Sequence, residues 1–321
     1  MAKSLRPECF EEYIGQPHII EQLKTYVRAT QIRRDIDPED CALPHTIFEG
    51  GAGLGKTSIA NVTAKELGAT IRVMQGNSIE KLGDLAQNLM VLNDGDILFI
   101  DEIHALKPFL EESLYSVMED FRLDIMVDQG GGESKPVNIP LPRFTLIGAT
   151  TEIGRLKKPL RERFKYHFTL ESYNDEELKL ILELNVGKMH CTMTDSAATQ
   201  IAKAARGTPR VALSHLGKCS DFALVENDGV IDTDVVNKTF KLATINHIGL
   251  NKNDIRYLTV LADRKRPTGI KNLSEILSMD RSTIENAVEP HLHEQQLIEK
   301  LPNGRIITDR GREVLENSDI N

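Results

Sequence analysis

Apolar positions change their rhythm twice along the chain, and each change marks a different kind of structure. Near the N-terminus Ile19, Ile20, Leu23, Tyr26 and Val27 recur at helical spacing. Short β-branched or aromatic runs then alternate with amphipathic stretches: Thr46 to Glu49, Thr70 to Met74, Asp96 to Asp101 and Phe144 to Thr150. Between its two acids the run ending in Asp101 is apolar, as expected of a parallel strand covered on both faces. Strands alternating with helices across residues 46–168 predict a parallel sheet flanked by helices. After Tyr173 the period is helical only, through residues 174–247, with helix starts at Asn174 and at Asp195-Ser196 and a break at Gly207-Thr208-Pro209. Residues 250–320 give three helices, near Asn253 to Asp263, Asn272 to Leu277 and from Asp280. A hairpin follows, in which Leu297 to Leu301 and Arg305 to Thr308 flank a Pro302-Asn303-Gly304 turn. Helices closed by a terminal hairpin are the pattern of a winged helix.

Composition narrows the class. With 321 residues the chain can form two or three cores, and 40% hydrophobic with 27% charged residues is ordinary for a globular protein. No apolar run approaches the roughly 20 residues needed to span a bilayer. Met1 to Arg6 is followed by no apolar stretch, so no secretory signal is expected there. Cys9, Cys41, Cys191 and Cys219 form no C-x-x-C pair, and a chain of this size needs no disulfide staples, so reduced thiols in a cytoplasmic protein are expected. The net charge of −9 gives no support to nucleic-acid binding from bulk electrostatics, leaving only a local basic surface as a candidate.

The chemistry begins at Gly50-Gly51-Ala52-Gly53-Leu54-Gly55-Lys56-Thr57, a G-x-x-x-x-G-K-[ST] phosphate loop between a predicted strand and a predicted helix. Glycines such as Gly53 and Gly55 let backbone N–H groups curl around phosphate, and the helix N-terminus adds partial positive charge. Lys56 is placed to reach the β- and γ-phosphates of ATP, Thr57 offers a hydroxyl to Mg²⁺, and Ser58 follows on the same turn. Asp101-Glu102 closes the most apolar strand. Asp101 suits Mg²⁺ binding, directly or through water, and Glu102 suits a general base that polarises the attacking water.

Taken in order, Asp101-Glu102-Ile103-His104, Gly148-Ala149-Thr150-Thr151, Pro159-Leu160-Arg161-Glu162-Arg163-Phe164 and Arg206-Gly207-Thr208-Pro209-Arg210 resemble the RuvB family. Leu5-Arg6-Pro7 and Glu12-Tyr13-Ile14-Gly15-Gln16 fit it too, so the resemblance runs from Leu5 to about Arg310. That family comprises the bacterial Holliday-junction branch-migration motors, hexameric AAA+ ATPases. The resemblance implies an AAA+ nucleotide-binding domain at 1–172, an all-α lid at 173–248 and a winged-helix DNA-binding domain at 249–321. It implies that Thr151 is the first sensor, with Thr150 as the neighbouring alternative; simple β propensity would also put a threonine there. Arg163 resembles an arginine finger acting on a neighbouring subunit's nucleotide, with Arg161 as competitor. Arg210 resembles the second sensor, against the plain reading of a solvated helix arginine. Leu5, Arg6, Tyr13 and Ile14 would line the adenine end of the site, and Tyr173 would close it, unless it is a core aromatic.

Two segments bear on partners. Leu123 to Val127 and Val137 to Leu141 flank the polar stretch Gly130 to Ser134 and predict a projecting hairpin. In the family such a hairpin docks on RuvA, the junction-binding partner, which makes Ile125 and Met126 contact candidates; packing on the chain's own core is the alternative. On the wing, Lys300 and Arg305 flank the turn and resemble contacts to the backbone of duplex or four-way-junction DNA; an exposed charged hairpin is the plainer reading. The chain departs from the family at Gly51-Ala52, where two prolines are usual, and at Ala105 and Asn303, where arginine is. It departs again at Lys165-Tyr166, where glycine and an aliphatic residue are usual. None of these removes a catalytic group. A clamp-loader-like or protein-remodelling ATPase would share the core, but a helical collar would replace the wing. A nucleotide-dependent DNA-binding regulator would have no need of Glu102.

Overall fold

The computed structural model describes residues 4–128, 134–264 and 266–317, with side chains outside the description at 126–128 and 134–136. The chain divides into two compact units, Met1–Tyr173 and Asn174–Asn321.

The first unit opens with α1 (Pro17–Ile36), started by Gln16 in the left-handed region and by Pro17, whose fixed φ suits a first helical position. Its inward face is Ile19, Ile20, Leu23 and Val27. There follow β1 (Thr46–Glu49), α2 (Lys56–Leu67), β2 (Ile71–Gln75), α3 (Leu82–Leu89), β3 (Ile97–Asp101), α4 (Pro108–Glu119), the hairpin β4 (Arg122–Asp128) and β5 (Ser134–Pro140), β6 (Thr145–Thr150), α5 (Lys158–Arg163) and β7 (Tyr166–Thr169). Five parallel strands form one sheet in the order β2-β3-β6-β1-β7. The three inner strands carry the runs legible in the sequence: Ile97 to Ile100 and every residue of β6 are buried. The edge strand β7 was not singled out in the sequence, because four residues with a mixed burial pattern carry little apolar signal. The core on one side of the sheet gathers Leu98, Ile100, Ile103, Leu114, Val117 and Phe144, each fully buried and each contributing about 1.5–3 kcal/mol of transfer free energy.

The second unit contains α6 (Asp175–Val186), β8 (Thr192–Met193), α7 (Asp195–Ala204), α8 (Pro209–Glu226), β9 (Val230–Ile231), α9 (Thr233–Leu242), α10 (Lys252–Arg264), α11 (Ile270–Leu277), α12 (Arg281–Thr283), α13 (Glu289–Glu294), β10 (Ile298–Leu301), β11 (Gly304–Ile307) and α14 (Asp309–Glu316). Asn174 caps α6 in a capping box with Glu177, as its sequence suggests. Three features differ from the expectation of helices alone followed by a terminal hairpin. β8 and β9 pair in parallel, and two-residue strands leave no periodicity to read. Residues Ile284–Val288 form a π-helical turn between α12 and α13. Pro290, lacking an N–H, cannot sustain the regular ladder, and a π turn is one way to absorb the defect. Finally α14 follows the wing, capped by the Thr308 hydroxyl, which accepts from the Gly311 N–H.

Two buried histidines make this unit sensitive to acid. Burial lowers His215 to about 4, helped by the charge of Lys218, and burial with the charge of Arg206 lowers His291 to about 4. A base held neutral in the fold stabilises it above its unfolded pKa near 6.5, and that contribution is lost as pH falls toward 4. The loss is on the order of 3 kcal/mol for each histidine. Thermal melting should therefore drop steeply between pH 6.5 and 4.5, and His215→Gln should flatten the curve; an unchanged slope in that variant would count against His215.

Among the described residues no helix is long and apolar enough to cross a membrane. The four cysteines are free thiols.

Candidate active site

The site is built where β1 and β3 end. β1 feeds the phosphate loop, which turns into α2 at Gly55, whose φ of 103° a side chain would rarely tolerate. A Cβ there would also meet the Tyr13 hydroxyl at 2.5 Å. Lys56 is buried, and its ammonium donates to the carbonyls of Gly50 at 2.7 Å and Gly51 at 3.0 Å, so the loop is drawn around the side chain that phosphate needs. Thr57 points its hydroxyl at Asp101 Oδ2, 3.5 Å away, although the two are 44 residues apart. Gln75 donates to the same Oδ2 at 3.3 Å. The sequence carries no signal of that contact, which follows from the register that pairs Gln75 with Asp101 across β2 and β3. The hydroxyl of Thr57 and the carboxylate of Asp101 are hard oxygen donors suited to a hard divalent cation. Among the described residues no cluster of three His, Cys, Asp or Glu could hold a metal alone, so such a cation would also need oxygens from the nucleotide.

Glu102 follows in the left-handed region, φ 48° and ψ 49°. A non-glycine residue there stores strain on the order of 1–3 kcal/mol, and such strain concentrates at functional sites. Its N–H is held by Asp101 Oδ1 at 3.1 Å. Gly76 lies so close that a Cβ would meet the Glu102 carbonyl at 2.3 Å. The carboxylate Oε2 accepts from the Thr151 N–H at 3.2 Å and the Thr151 hydroxyl at 3.1 Å. Of the two candidate threonines, Thr151 therefore touches the acid. Thr150 is fully buried and binds His104 Nδ1 instead, at 2.9 Å.

At the other end of the loop, the Tyr13 hydroxyl donates to the Gly55 carbonyl at 3.4 Å and lies 3.4 Å from the Tyr173 hydroxyl. Tyr13 and Tyr173 are both buried, and burial raises Tyr13 well above the usual phenol range, so Tyr13 remains a neutral donor. Leu5 and Ile14 are half-buried and Arg6 is exposed, while Ser58 is half-buried on the first turn of α2. Arg163 lies against α4: its guanidinium donates to Glu119 at 3.0 Å and the Pro159 carbonyl at 2.8 Å and stacks 4.3 Å over Tyr115. Arg161 is half-buried on the same short helix. Arg210 is exposed on the first turn of α8 and has no ion pair among the described residues.

The partner candidates fare differently. Ile125 is half-buried and packs against the first unit's core, while Val137, its cross-strand partner, is 40% exposed. The side chain of Met126 and the tip residues 129–133 lie outside the described residues. On the wing, both cations that flank the turn are engaged by acids of the second unit. Lys300 and Arg305, paired across β10 and β11, both bind Glu289, at 2.8 Å each, and Arg305 also binds Glu285 at 3.1 Å. Glu289 is fully buried, and burial alone would raise its pKa. Hydrogen bonds from Arg305, Lys300 and Tyr257 outweigh that and hold it below the usual range. A buried carboxylate demands cations, and sequence spacing across a turn does not show which acid lies behind it.

A five-stranded parallel sheet, a phosphate loop closing on an Asp-Glu pair and a threonine at the end of the strand between them define an AAA+ P-loop ATPase. Three family models match in succession: the Holliday junction DNA helicase RuvB P-loop domain over residues 5–170, the RuvB AAA lid domain over 173–246 and the RuvB C-terminal winged helix domain over 247–316. The chain belongs to the RuvB family. It is 42% identical to the Holliday junction branch migration complex subunit RuvB of Campylobacter fetus, over 95% of this chain and 87% of that one. It is 43% identical to its counterpart from Campylobacter jejuni strain RM1221, over 98% and 92%. Its structure is similar to that of the Holliday junction branch migration motor RuvB of Thermotoga maritima. The TM-score is 0.84 at 35% identity, covering 97% of this chain and 98% of that one.

Proposed function

We propose that this chain hydrolyses ATP with Mg²⁺ to drive branch migration of Holliday junctions, working as a hexameric ring on duplex DNA with a RuvA-like junction-binding partner. The observation that carries the reading is the meeting of Lys56, Thr57, Asp101, Glu102 and Thr151 at one end of the sheet, in a chain similar to RuvB along almost its whole length. Lys56 and the loop N–H groups would hold the phosphates, and Thr57 with Asp101 would hold the cation, which supplies charge neutralisation on the β- and γ-phosphates. Glu102 would take the proton of the attacking water, with Thr151 as first sensor. Tyr13, Tyr173, Leu5, Arg6 and Ile14 would frame the base. Arg210 would sense the nucleotide from the lid, and Arg163 would leave Glu119 to act on a neighbour's phosphates.

The domain limits that suit this reading are 1–172, 173–248 and 249–321. On the wing, Lys300, 42% exposed, is the cation able to exchange Glu289 for a DNA phosphate, while Arg305, with two acids around it, braces the turn. The hairpin carrying Ile125 would meet the partner. Four free cysteines agree with a cytoplasmic site of action.

The test is ATP hydrolysis with and without duplex and four-way-junction DNA, for the wild type, Lys56→Ala and Arg163→Ala. Junction DNA should raise the rate, each variant should lose at least about 10³-fold, as removal of a trans-acting arginine does, and mixing the two should restore part of it. A rate indifferent to DNA would favour action on a protein instead.

A further inference from the structure

We infer that His104 positions the carboxylate of Glu102, anchored through Thr150, and so determines which carboxylate oxygen receives the proton from water. The inference rests on Glu102 being the general base. The one-turn segment Ile103–Ala105 follows the strained Glu102, closed by the Ala105 N–H on the Glu102 carbonyl at 2.8 Å, and brings His104 to the end of β6. There Nδ1 lies 2.9 Å from Thr150 Oγ1 and 3.3 Å from Glu102 Oε2. The His104 side chain is only 9% exposed. Thr150 is itself fixed: it is fully buried, and its Oγ1 accepts from the Glu152 N–H at 2.9 Å.

The surroundings select the tautomer. A bare Nδ1 lone pair facing a carboxylate oxygen at 3.3 Å would be repelled, whereas an Nδ1–H faces two acceptors, the Thr150 hydroxyl oxygen and Glu102 Oε2. With the proton on Nδ1, Glu102 Oε2 lies among three donors: the Thr151 N–H, the Thr151 hydroxyl and His104. Each occupies lone-pair space on that oxygen and leaves less of it open to water. Oε1 has no hydrogen-bond partner among the described residues and is the oxygen left for water. In the step itself a water O–H bond breaks, its proton goes to Glu102 Oε1 and its oxygen bonds to the γ-phosphorus. The bond from that phosphorus to the bridging oxygen breaks with its electron pair remaining on ADP. His104 neither gains nor loses a proton; it is a positioning residue.

The experiment compares steady-state ATP hydrolysis and ADP affinity in the full chain for His104→Ala, His104→Asn, Thr150→Val and the His104→Ala/Thr150→Val pair, with Glu102→Gln alongside. A general base held in the wrong geometry loses part of its 10²–10⁴-fold effect. His104→Ala should thus lower kcat about ten-fold or more with KM and ADP affinity within about two-fold, the signature of an interaction made only in the transition state. His104→Asn, which can present an amide N–H near the Nδ1 position, should recover most of the loss. The double variant should be no slower than His104→Ala, because Thr150 acts through His104. Equal rates for the Ala and Asn variants, a KM that rises as kcat falls, or multiplicative losses in the pair would each overturn the inference. Should Glu102→Gln keep its activity, the general-base assignment itself fails, a separate result from failure of the His104 variants alone. Melting temperatures within a few degrees of the wild type exclude unfolding as the cause of any loss.

Discussion

Glu102→Gln is expected to abolish turnover while leaving nucleotide binding intact. A glutamine amide matches the carboxylate in shape, and its oxygen still accepts from the Thr151 N–H and hydroxyl that hold Oε2 now. The left-handed backbone at this position is held by the Asp101 carboxylate and by the turn Ile103–Ala105, neither of which depends on the Glu102 charge. What the substitution removes is the ability to accept a proton, worth about 10²–10⁴ in rate for a well-placed general base. Single-turnover hydrolysis and the affinity for a fluorescent ADP analogue give the two readouts. A variant that keeps more than about a tenth of wild-type turnover would place the base elsewhere, since a lost base costs at least 10²-fold.

Arg206→Ala is expected to cost the second unit about 3–5 kcal/mol, the range for breaking a buried ion pair by removing one partner. Arg206 stands at φ 55°, just before the break that starts α8. Its guanidinium donates through Nε to the Gly249 carbonyl at 2.8 Å and through a terminal nitrogen to Asp254. Asp254 is fully buried at the start of α10; burial raises its pKa, opposed first by the charge of Arg206 and then by the Asn251 N–H. Without the arginine a buried carboxylate would remain with the Asn251 N–H but with no counter-charge, in the junction between the lid helices and the winged helix. Arg206→Ala/Asp254→Asn should therefore recover a large part of the loss, because the neutral amide no longer needs a counter-charge. Denaturant unfolding of the single and double variants, followed by a probe in the second unit, measures both effects. Equal destabilisation of the two would mean that the contact to the Gly249 carbonyl, and not the charge pair, is what matters.

The residues most legible in advance are those whose chemistry is contiguous in the chain. The phosphate loop needs glycines, a lysine and a threonine in one stretch, because a single turn from strand to helix makes the whole cradle. Asp101-Glu102 was legible because a buried parallel strand must be apolar up to its end, so charges at that end stand out. The inner strands were placed to within a residue for the same reason. Weaker signals were lost where burial is partial or length is short: the edge strand β7, the two-residue pair β8 and β9, and the closing helix α14.

Sequence alone thus determined the elements whose formation depends on neighbours along the chain, together with the reaction class those elements carry. Only the tertiary structure decided which distant groups share a charge or a proton. It brought Gln75 and Thr57 to Asp101, and Thr151 and His104 to one oxygen of Glu102. It also turned Lys300 and Arg305 toward Glu289 and set Arg206 against Asp254. The physical reason is common to all four. An ionised group withdrawn from water, wholly as at Glu289 and Asp254 or in part as at Asp101 and Glu102, must find its partners wherever packing leaves them, and neither helical nor strand periodicity encodes contacts made across the fold.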